Sequence, residues 1–397
     1  MKPHFFTAAF LFIPILSLLF FAFGCSSDND DSDSGSDDDI TDDDTGDDDD
    51  NDNDDNDDND NDNDTSHGDA DMEGWVVGYS DVDDQRYSII WHDDHGVWEQ
   101  ETSPILGSPN QLADVFFLAP DDGWAVGYEI SEGVILHRDA TGWSQATLSG
   151  IPCAFAEVEF LDADHGWALC AYVSDTLAYR YDMGTWSAVP FSLTFEDTVV
   201  LYDVSLLAPD HAFVAGLVTV ASGSAIGLEY LDGAIVGWMP SSYFDWYEGM
   251  QIAGGNEGYL AYCSWRSSFN PLSLYRFDGD SWLPAPHAPD AGCVSDFARS
   301  SGGTWYAAGY DEEPSVHRKQ TTGWLNMPLP SVTGSAMWSG LLDIDMPADD
   351  FGVAVGGNSL GRELGYAFSF DGVSWHQIDD IAMDDTTYTG VSFVSAP

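Results

Sequence analysis

Short runs of aromatic and β-branched residues alternate along this chain with turns rich in Gly, Asp and Pro. The clearest example is residues 114–127, Asp-Val-Phe-Phe-Leu-Ala-Pro-Asp-Asp-Gly-Trp-Ala-Val-Gly, which a second apolar run, residues 134–138, follows. Aromatic and β-branched residues favour strands, and the small polar residues supply the dihedral angles that tight turns need. The pattern therefore predicts an all-β fold built from consecutive hairpins.

The same run occurs seven times at a nearly constant spacing. The position of Trp124 in the run recurs at Trp75, Trp167, Phe213, Tyr259, Trp305 and Gly352. The intervals between these positions are 49, 43, 46, 46, 46 and 47 residues. A period of this size is typical of a propeller, a solenoid or an array.

Each repeat is predicted to contain four strands. In the clearest repeat they cover residues 115–119, 124–128, 134–138 and 143–148, and we letter them A to D. The turn before strand D also recurs, and it is followed each time by a tryptophan: Trp98, Trp143, Trp186, Trp238, Trp282, Trp324 and Trp375. A four-stranded unit leaves both faces apolar, and packing seven of them in a ring buries those faces.

The two ends of the repeat region complement each other. Residues 391–397 look like a strand A without a strand B after it, and residues 72–78 look like a strand B without a strand A before it. A solenoid would not need complementary ends. We therefore predict that residues 71–397 form a seven-bladed β-propeller with four-stranded blades, whose first blade is closed by the C-terminal strand.

The order of a Phe-rich strand, a Gly-Trp-Ala-Val-Gly strand and an Asp-Gly-x-x-Trp turn resembles the Asp-box (BNR-like) propellers. It is most similar to those of the photosystem II assembly and stability factor type. The resemblance covers roughly residues 72–397. It implies the propeller fold and is weak for function, so photosynthetic partners do not follow from it.

The N-terminus reads as an export signal. Lys2 precedes an apolar run over residues 5–23, as in secretory signal peptides. Residues 22–25, Ala-Phe-Gly-Cys, resemble the lipobox of bacterial lipoproteins, with Ala where Leu is usual and a bulky Phe. The resemblance implies that residues 1–24 are removed and that Cys25 is lipidated. The alternative is an uncleaved membrane anchor, because about 19 apolar residues just span a bilayer.

Both readings export the body of the protein and attach it to a membrane. Ser26 after the cysteine is, by the sorting habit of that family, typical of an outer-membrane lipoprotein. We therefore expect a lipid-anchored protein at the bacterial outer membrane or cell surface.

Residues 25–70 are expected to form a disordered tether. Residues 28–64 contain 22 Asp and no basic residue, so they have too little apolar surface to fold. The Asp-Asn-Asp spacing permits weak binding of Ca²⁺, but the Gly turn and the bidentate Glu of a calcium loop are missing. We expect no other cofactor.

The acidity extends beyond the tether. Without those 22 Asp and Lys2, residues 65–397 keep 48 acidic and 9 basic residues, a formal net charge of −39. Such a field repels the phosphates of nucleic acid. We predict no nucleic-acid partner and a monomeric body that suits cationic partners.

Four cysteines remain after Cys25, and four allow three pairings. In the repeat register Cys153 and Cys170 lie beside each other across the first hairpin of the third repeat. Cys263 ends strand B of the fifth repeat and Cys293 begins strand A of the sixth. The register therefore predicts the disulfides Cys153–Cys170 and Cys263–Cys293.

The sequence does not predict catalysis or a metal centre. Asp-box sialidases bind a substrate carboxylate with an Arg cluster, but four arginines here recur at the end of strand C as structural positions: Arg138, Arg180, Arg276 and Arg318. The histidines lack metal-ligand spacing, and no catalytic or phosphate-binding motif is present. Most repeated Asp residues are interpreted as turn formers.

The candidate binding residues are those that the repeat does not explain. They fall in connections that open on one face of the ring, mainly around the fifth repeat: Tyr243, Phe244, Asp245, Trp246, Tyr247, Glu248, Trp265, Arg266, Phe269 and Trp338. Aromatic rings flanked by carboxylates suit stacking on sugars, peptides or cationic groups. The alternative is that these rings only cover the edge of the propeller.

Three functions remain open. The first is a non-catalytic binding or scaffold module for a protein or a glycan. The second is a glycoside hydrolase or lyase, which needs two carboxylates in a cleft, and Asp245 with Glu248 is the pair to test. The third is a structural lipoprotein without a small ligand.

Overall fold

A computed structural model describes residues 72–396, except 84, 106, 108, 131, 147, 149, 174–175, 191–197, 219–223, 244, 265–272, 286–291, 311–312, 332–338 and 359–363. Within these residues the chain folds into seven antiparallel sheets, one for each repeat. The predictions of an all-β fold, of seven blades and of four-stranded blades are confirmed.

The strands follow one another along the chain, and each blade is ordered A to D outward from the ring axis. Blade 1 takes strands B to D from β1 (Met72–Val82), β2 (Gln85–Asp94) and β3 (Val97–Glu101). Blade 2 contains β4 (Asn110–Ala119), β5 (Asp122–Glu129), β6 (Glu132–Asp139) and β7 (Gly142–Gln145). Blade 3 contains β8 (Phe155–Asp162), β9 (His165–Cys170), β11 (Thr176–Asp182) and β12 (Thr185–Pro190), and the short β10 (Tyr172–Val173) lies between β9 and β11 in sequence.

The later blades repeat this arrangement. Blade 4 contains β13 (Val199–Ala208), β14 (His211–Val218), β15 (Ser224–Leu231) and β16 (Ala234–Tyr243). Blade 5 contains β17 (Asp245–Ala253), β18 (Glu257–Ser264), β19 (Ser273–Phe277) and β20 (Trp282–Pro284). Blade 6 contains β21 (Cys293–Arg299), β22 (Trp305–Tyr310), β23 (Pro314–Gln320) and β24 (Gly323–Met327). Blade 7 contains β25 (Ser339–Asp345), β26 (Gly352–Asn358), β27 (Leu364–Phe370) and β28 (Trp375–Gln377).

A short 3-10 helix (Asp379–Ile381) and the two-residue β29 (Met383–Asp384), which pairs with β27, lead to the last strand, β30 (Thr386–Ser395). β30 pairs antiparallel with β1, so that Val391 lies opposite Val76. It is therefore strand A of blade 1. The predicted closure of the first blade by the C-terminal strand is confirmed.

The core lies between neighbouring blades. Trp124 of strand B in blade 2 stacks on Phe160 of strand A in blade 3, with ring centroids 5.3 Å apart. The equivalent Trp75 and Trp167 are completely buried. These large rings close the wedge between two sheets, which explains why an aromatic residue recurs at this point of the repeat.

Every innermost strand carries a β-bulge near its start. In blade 2 the register shifts between Leu112 and Asp114, opposite Gly127 of strand B. A Cβ atom at Gly127 would lie 2.1 Å from the carbonyl oxygen of Gln111. Only glycine leaves room for the strand A backbone there, which explains the Gly that ends the Trp-Ala-Val-Gly run.

The second recurring turn is held by an aspartate at its start. Oδ1 of Asp371 accepts hydrogen bonds from the backbone N–H groups of Val373, at 2.9 Å, and Ser374, at 2.7 Å. Asp278 does the same for Asp280 and Ser281. These bonds lower the pKa of Asp371 to about 2. They explain why Asp recurs before the strand D tryptophan.

Two disulfides join strands at the face where the D-to-A and B-to-C connections open, which we call the top face. Cys153 is bonded to Cys170 within blade 3, and Cys263 is bonded to Cys293 between blades 5 and 6. These are the pairs that the repeat register places side by side. Cys25 and the signal and tether segments lie outside the described residues.

No helix in the described part of the chain has the length and apolar character that crossing a membrane would require.

Candidate functional site at the axial mouth

Side chains from four of the seven sheets converge where the ring axis meets the top face. They are Tyr128, Tyr172, Tyr202, Glu248 and Tyr310, and we call this group the axial mouth. Tyr202 interacts electrostatically with Glu248 and Tyr172, Tyr310 interacts with Glu248 and Tyr202, and Tyr172 interacts with Tyr128. No single blade contains the group, so only the closed ring assembles it.

Local backbone features place these residues at the axis. Tyr128 and Tyr310 lie at the top ends of the B strands β5 and β22. Tyr202 and Glu248 lie in the β-bulges of the A strands β13 and β17. Tyr172 belongs to β10, which pairs with the inner edge of β13. A bulge re-aims the side chain of the extra residue, which suits it for a site.

The axial mouth is partly buried and electrostatically biased. Burial raises the pKa of the Tyr202 and Tyr310 phenols, and the nearby Glu248 carboxylate raises both pKa values further. The phenols therefore stay protonated and can donate hydrogen bonds. Tyr172 is 43% exposed and forms the outer wall of the group. Phenol rings around one carboxylate offer stacking surface and a negative charge to a ligand.

A ring of carboxyl groups lies one step further down the axis. The residue after the bulge is acidic in five blades: Asp114, Glu157, Asp203, Asp296 and Asp343. We call these five residues the carboxyl girdle. Glu157 interacts electrostatically with the four others, which come from blades 2, 4, 6 and 7. Such a set of interactions requires that the girdle surrounds the axis.

Four residues of the carboxyl girdle accept a hydrogen bond from the backbone of the next blade. Oδ2 of Asp114 accepts a hydrogen bond at 2.8 Å from the backbone N–H of Val158, in strand A of blade 3. Oδ2 of Asp203 accepts one at 2.5 Å from Met250 in blade 5, and the corresponding acids of blades 6 and 7 accept from blades 7 and 1 at 3.2 and 2.6 Å. The inner edge of a blade has no neighbouring strand, so its N–H groups need such acceptors.

A second layer of side chains repeats this bond two residues later. Glu159 accepts from the N–H of Leu206 at 2.7 Å, and Asp345 accepts from that of Phe393 at 2.6 Å. In blades 4 and 1 a hydroxyl oxygen accepts instead. Ser205 accepts from the N–H of Ile252, and Ser392 accepts from that of Phe117. We call all these side chain to backbone bonds inter-blade bonds.

Burial and mutual repulsion make the girdle carboxyls weak acids. Burial, reinforced by the charge of Asp343, raises the pKa of Asp114 to about 8, although its hydrogen bonds oppose the shift. Burial likewise raises the pKa of Glu159 to about 8 and that of Asp345 to about 7. Asp296 is hydrogen-bonded to Asp343 side chain to side chain, which requires a shared proton. The girdle therefore holds protons at neutral pH.

The junction between blades 5 and 6 differs from the junctions that inter-blade bonds hold together. Gly249 occupies the girdle position of blade 5, and a Cβ there would lie 2.8 Å from the backbone of Ser295. At the second-layer position, Oε1 of Gln251 is buried without a partner among the described residues. The Cys263–Cys293 disulfide spans this junction instead.

Glu248 contacts that disulfide. Its Oε2 atom lies 2.8 Å from Sγ of Cys293 and 3.2 Å from Sγ of Cys263. Both cysteines are buried, with exposed fractions of 3% and 1%. Glu248, Cys263 and Cys293 are one of two groups of three metal-ligand types among the described residues, and the other is Glu73 with the exposed Asp94 and His95 at the rim of blade 1.

The structure describes only part of the site that the sequence predicts. Phe244, Trp265, Arg266, Phe269 and Trp338 lie outside the described residues. The backbone of Tyr243 ends β16, and Asp245, Trp246 and Tyr247 begin β17. Trp246 was expected in a connection before strand A, but it lies within strand A and pairs with Cys263, because β17 begins earlier than the apolar pattern indicates. Glu248 is the one predicted residue whose side chain the structure places in the axial mouth.

The carboxyl girdle and the tyrosines of the axial mouth were not predicted from the sequence. The repeated Asp residues interpreted as turn formers are others, such as Asp121 and Asp122, whereas Asp114 and its equivalents lie within strand A. The available signal was an acidic residue inside an apolar run, as in Ala-Asp-Val-Phe, Ala-Glu-Val-Glu and Tyr-Asp-Val-Ser. An acid in a buried strand requires a partner, and the repeat places that partner one period later.

Arg138 has a structural role, as predicted from its place in the repeat. Arg138 donates to the carbonyl oxygen of Pro120 and, at 3.2 Å, to Glu101. Glu101 also accepts a hydrogen bond at 2.5 Å from Nε1 of Trp143. Among the described residues, Glu101 is the carboxylate that lines a cleft between blades 1 and 2.

Comparisons with known proteins agree with the fold. No protein-family model and no curated protein sequence matches the chain. Among solved structures it is similar to "YCF48 bound to D1 peptide" (14% identity, 72% of this chain and 93% of that chain, TM-score 0.45). It is also similar to YCF48 from Cyanidioschyzon merolae (15% identity, 72% and 96% covered, TM-score 0.46). A puromycin-hydrolyzing peptidase from Mycobacterium tuberculosis matches with 9% identity, 76% and 52% covered, and a TM-score of 0.52. At these identities the likeness concerns the propeller fold alone.

Proposed function

We propose that this protein is an exported, lipid-anchored binding module without catalytic activity, and that its axial mouth binds a basic segment of a partner protein at the cell surface. The observation that carries the proposal is the convergence of four phenols and one carboxylate from four blades. Tyrosine provides a large contact area at low conformational cost, and a carboxylate adds charge.

Charge favours a basic ligand. The region after the tether has a formal net charge of −39, and Glu248 gives the axial mouth a negative charge of its own. Such a field attracts Lys and Arg side chains, and both cations stack well on phenol rings. A glycan gains from the rings but not from the charge, so the protein ligand is favoured over the glycan.

The tether and the anchor fit the same role. If Cys25 is lipidated, residues 26–70 separate the propeller from the membrane by a highly charged spacer. With roughly 3.4 Å per residue, its 37-residue acidic part, residues 28–64, reaches at most about 125 Å. The propeller would then search for partners at a distance from the membrane as a tethered monomer.

Two exposed tyrosines provide a matched test. Tyr172 in the axial mouth is 43% exposed, and Tyr87 on strand C of blade 1 is 40% exposed. The full-length protein and the variants Tyr172→Ala, Tyr87→Ala and Glu248→Gln are applied to a peptide array of graded Lys and Arg content and to a glycan array. We expect binding of basic peptides that Tyr172→Ala and Glu248→Gln weaken at least tenfold and that Tyr87→Ala leaves unchanged.

Three outcomes would overturn the proposal. Equal loss in Tyr172→Ala and Tyr87→Ala would show that the axial mouth has no special role. Binding on the glycan array alone would replace the protein ligand by a sugar. Absence of binding on both arrays would favour a structural lipoprotein.

A further inference from the structure

The contact between Glu248 and the Cys263–Cys293 disulfide is chemically unusual. A carboxylate oxygen and a disulfide sulfur both carry lone pairs, so the contact of 2.8 Å to Cys293 offers no hydrogen bond while the sulfurs are bonded to each other. The same oxygen would accept a hydrogen bond from a thiol, or would share a metal ion with a thiolate. The geometry therefore suits the reduced state of this pair better than the oxidised state.

We propose that Glu248, Cys263 and Cys293 form a redox-gated site for a soft divalent cation such as Zn²⁺. The site is closed while the two cysteines are bonded to each other, and it opens when a thiol reductant separates them. The inference does not rest on the binding function proposed for the axial mouth.

The donor set fits such an ion. One oxygen and two sulfurs lie within 4.8 Å of one another, and thiolate with carboxylate is a known donor combination for zinc. In tetrahedral zinc sites, Zn–S bonds of about 2.3 Å place two sulfurs about 3.8 Å apart. The Cα atoms of the two cysteines are 5.2 Å apart, so side-chain rotation alone can provide that spacing. Three protein ligands leave a fourth position for water or a substrate.

The reaction balances with a thiol as the reductant. One thiolate attacks a sulfur of the disulfide, and a second thiol releases the mixed disulfide, so the reductant is oxidised to its own disulfide. Cys263 and Cys293 together gain two electrons and two protons and become thiols. Binding of Zn²⁺ then releases both thiol protons.

The absence of inter-blade bonds among the described residues of the blade 5 to blade 6 junction allows the site to open. Gly249 and Gln251 make no inter-blade bond there among the described residues, in contrast to Asp203 and Ser205 one junction earlier. Reduction removes the covalent link across this junction, and a bound ion would restore a link through Glu248 and Cys263 on blade 5 and Cys293 on blade 6.

The second disulfide of the chain is a built-in control. Cys153 and Cys170 are bonded within one hairpin of blade 3, and within the described part of the chain they belong to no group of three metal-ligand types. Both disulfides are reduced together by a phosphine under anaerobic conditions. Only the pair next to Glu248 is expected to bind the ion.

The test uses Co²⁺ as a spectroscopic substitute for Zn²⁺ on the purified full-length protein. We expect one thiolate-bound Co²⁺ per reduced chain, counted from its thiolate-to-cobalt charge-transfer band, its displacement by Zn²⁺, and no band in the oxidised protein. The acidic tether binds Co²⁺ through oxygen only and gives no such band. Cys153→Ser/Cys170→Ser should keep the band, Cys263→Ser/Cys293→Ser should lose it, and Glu248→Gln should weaken Zn²⁺ binding at least tenfold.

Several results would overturn the proposal. They are a reduced wild-type protein without the band, a band that survives in Cys263→Ser/Cys293→Ser, and unchanged Zn²⁺ affinity in Glu248→Gln. Circular dichroism checks that each reduced protein keeps its β-sheet signal. If the double serine variant does not fold, Glu248→Gln decides, because it retains all cysteines.

Discussion

The junction between blades 4 and 5 and the junction between blades 5 and 6 solve the same problem in different ways. At the first, Asp203 and Ser205 accept hydrogen bonds at 2.5 and 2.9 Å from backbone N–H groups of blade 5. At the second, the equivalent residues are Gly249 and Gln251, and a disulfide spans the two blades. The inner edge of a blade must be secured, and this chain uses side-chain acceptors or a covalent bond for it.

The difference shows what a repeat position is for. A repeated acid in an innermost strand looks like a ligand site when it is seen alone, because buried carboxyls with raised pKa values often mark function. Among the described girdle acids, all except Glu157 accept a hydrogen bond from a backbone N–H of the next blade. The carboxyl girdle is therefore part of the architecture, and blade 5, which has Gly249 and Gln251 in place of both acceptors, carries the unusual chemistry.

The largest expected effect comes from breaking the covalent junction. Cys263→Ser/Cys293→Ser should lower the free energy of unfolding by about 4 kcal/mol, and Cys153→Ser/Cys170→Ser by about 3 kcal/mol, from the entropy of loop closure. The closed loops have sequence separations of 30 and 17 residues, so the first pair constrains the unfolded chain more. Urea denaturation without reductant measures both values.

A larger loss for the Cys153 and Cys170 pair would contradict the comparison, because that pair lies in a hairpin with its own strand pairing. Equal losses would mean that the length of the closed loop does not determine how much each disulfide stabilises the fold. The linear dependence on urea must keep the same slope in both variants, which shows that they unfold from the same compact state.

Removing a hydrogen-bond acceptor at the junction between blades 4 and 5 should have an intermediate effect on stability. Asp203→Ala leaves the buried N–H of Met250 without its partner and should cost about 2 to 3 kcal/mol. Asp203→Asn keeps an acceptor oxygen and is as uncharged as the protonated carboxyl, so it should cost less than about 1 kcal/mol. Equilibrium unfolding at neutral pH compares the two variants.

A matched control exists at the other junction. Gly249→Asp adds the missing acid, but its Cβ would lie 2.8 Å from the backbone of Ser295. We expect this variant to be destabilised by about 1 to 3 kcal/mol through overpacking. A stabilised Gly249→Asp protein would show that the blade 5 to blade 6 junction lacks an acid for a reason other than space.

The architecture could be predicted from the sequence because it rests on local periodicity. The spacing of Trp124 and its equivalents indicates the number of blades, and the unmatched ends at residues 72–78 and 391–397 indicate ring closure. Turn aspartates such as Asp371 act through bonds two and three residues away. Each of these signals is contained within one repeat or in the comparison of two.

The axial mouth could not be predicted in the same way, because its contacts join residues far apart in sequence. Tyr202, Glu248 and Tyr310 come from three blades, and two of them reach the axis through β-bulges, which shift the side-chain alternation of a strand. Glu248 was predicted because the repeat does not explain it. The tyrosines were not predicted, and two of them, Tyr128 and Tyr310, directly follow the repeated Gly127 and Gly309.

The pH dependence of stability also distinguishes the junctions. The pKa of Asp114 is about 8 in the folded protein, well above that of an unfolded Asp, because Asp114 is buried and lies near the charge of Asp343. The folded state therefore binds the proton more tightly than the unfolded state. This stabilisation is complete below about pH 4 and is lost as the pH rises towards 8.

The stability of the wild-type protein should therefore fall between pH 5 and pH 8, and Asp114→Asn should reduce that fall by on the order of 2 kcal/mol. Asn keeps an acceptor for the N–H of Val158 but has no proton to lose. The control is Cys263→Ser/Cys293→Ser, whose junction has Gly249 at its girdle position and should leave the pH slope unchanged. A slope that Asp114→Asn does not alter would mean that this girdle carboxyl is ionised in the folded protein, and that the hydrogen bond to Val158 outweighs the burial of its charge.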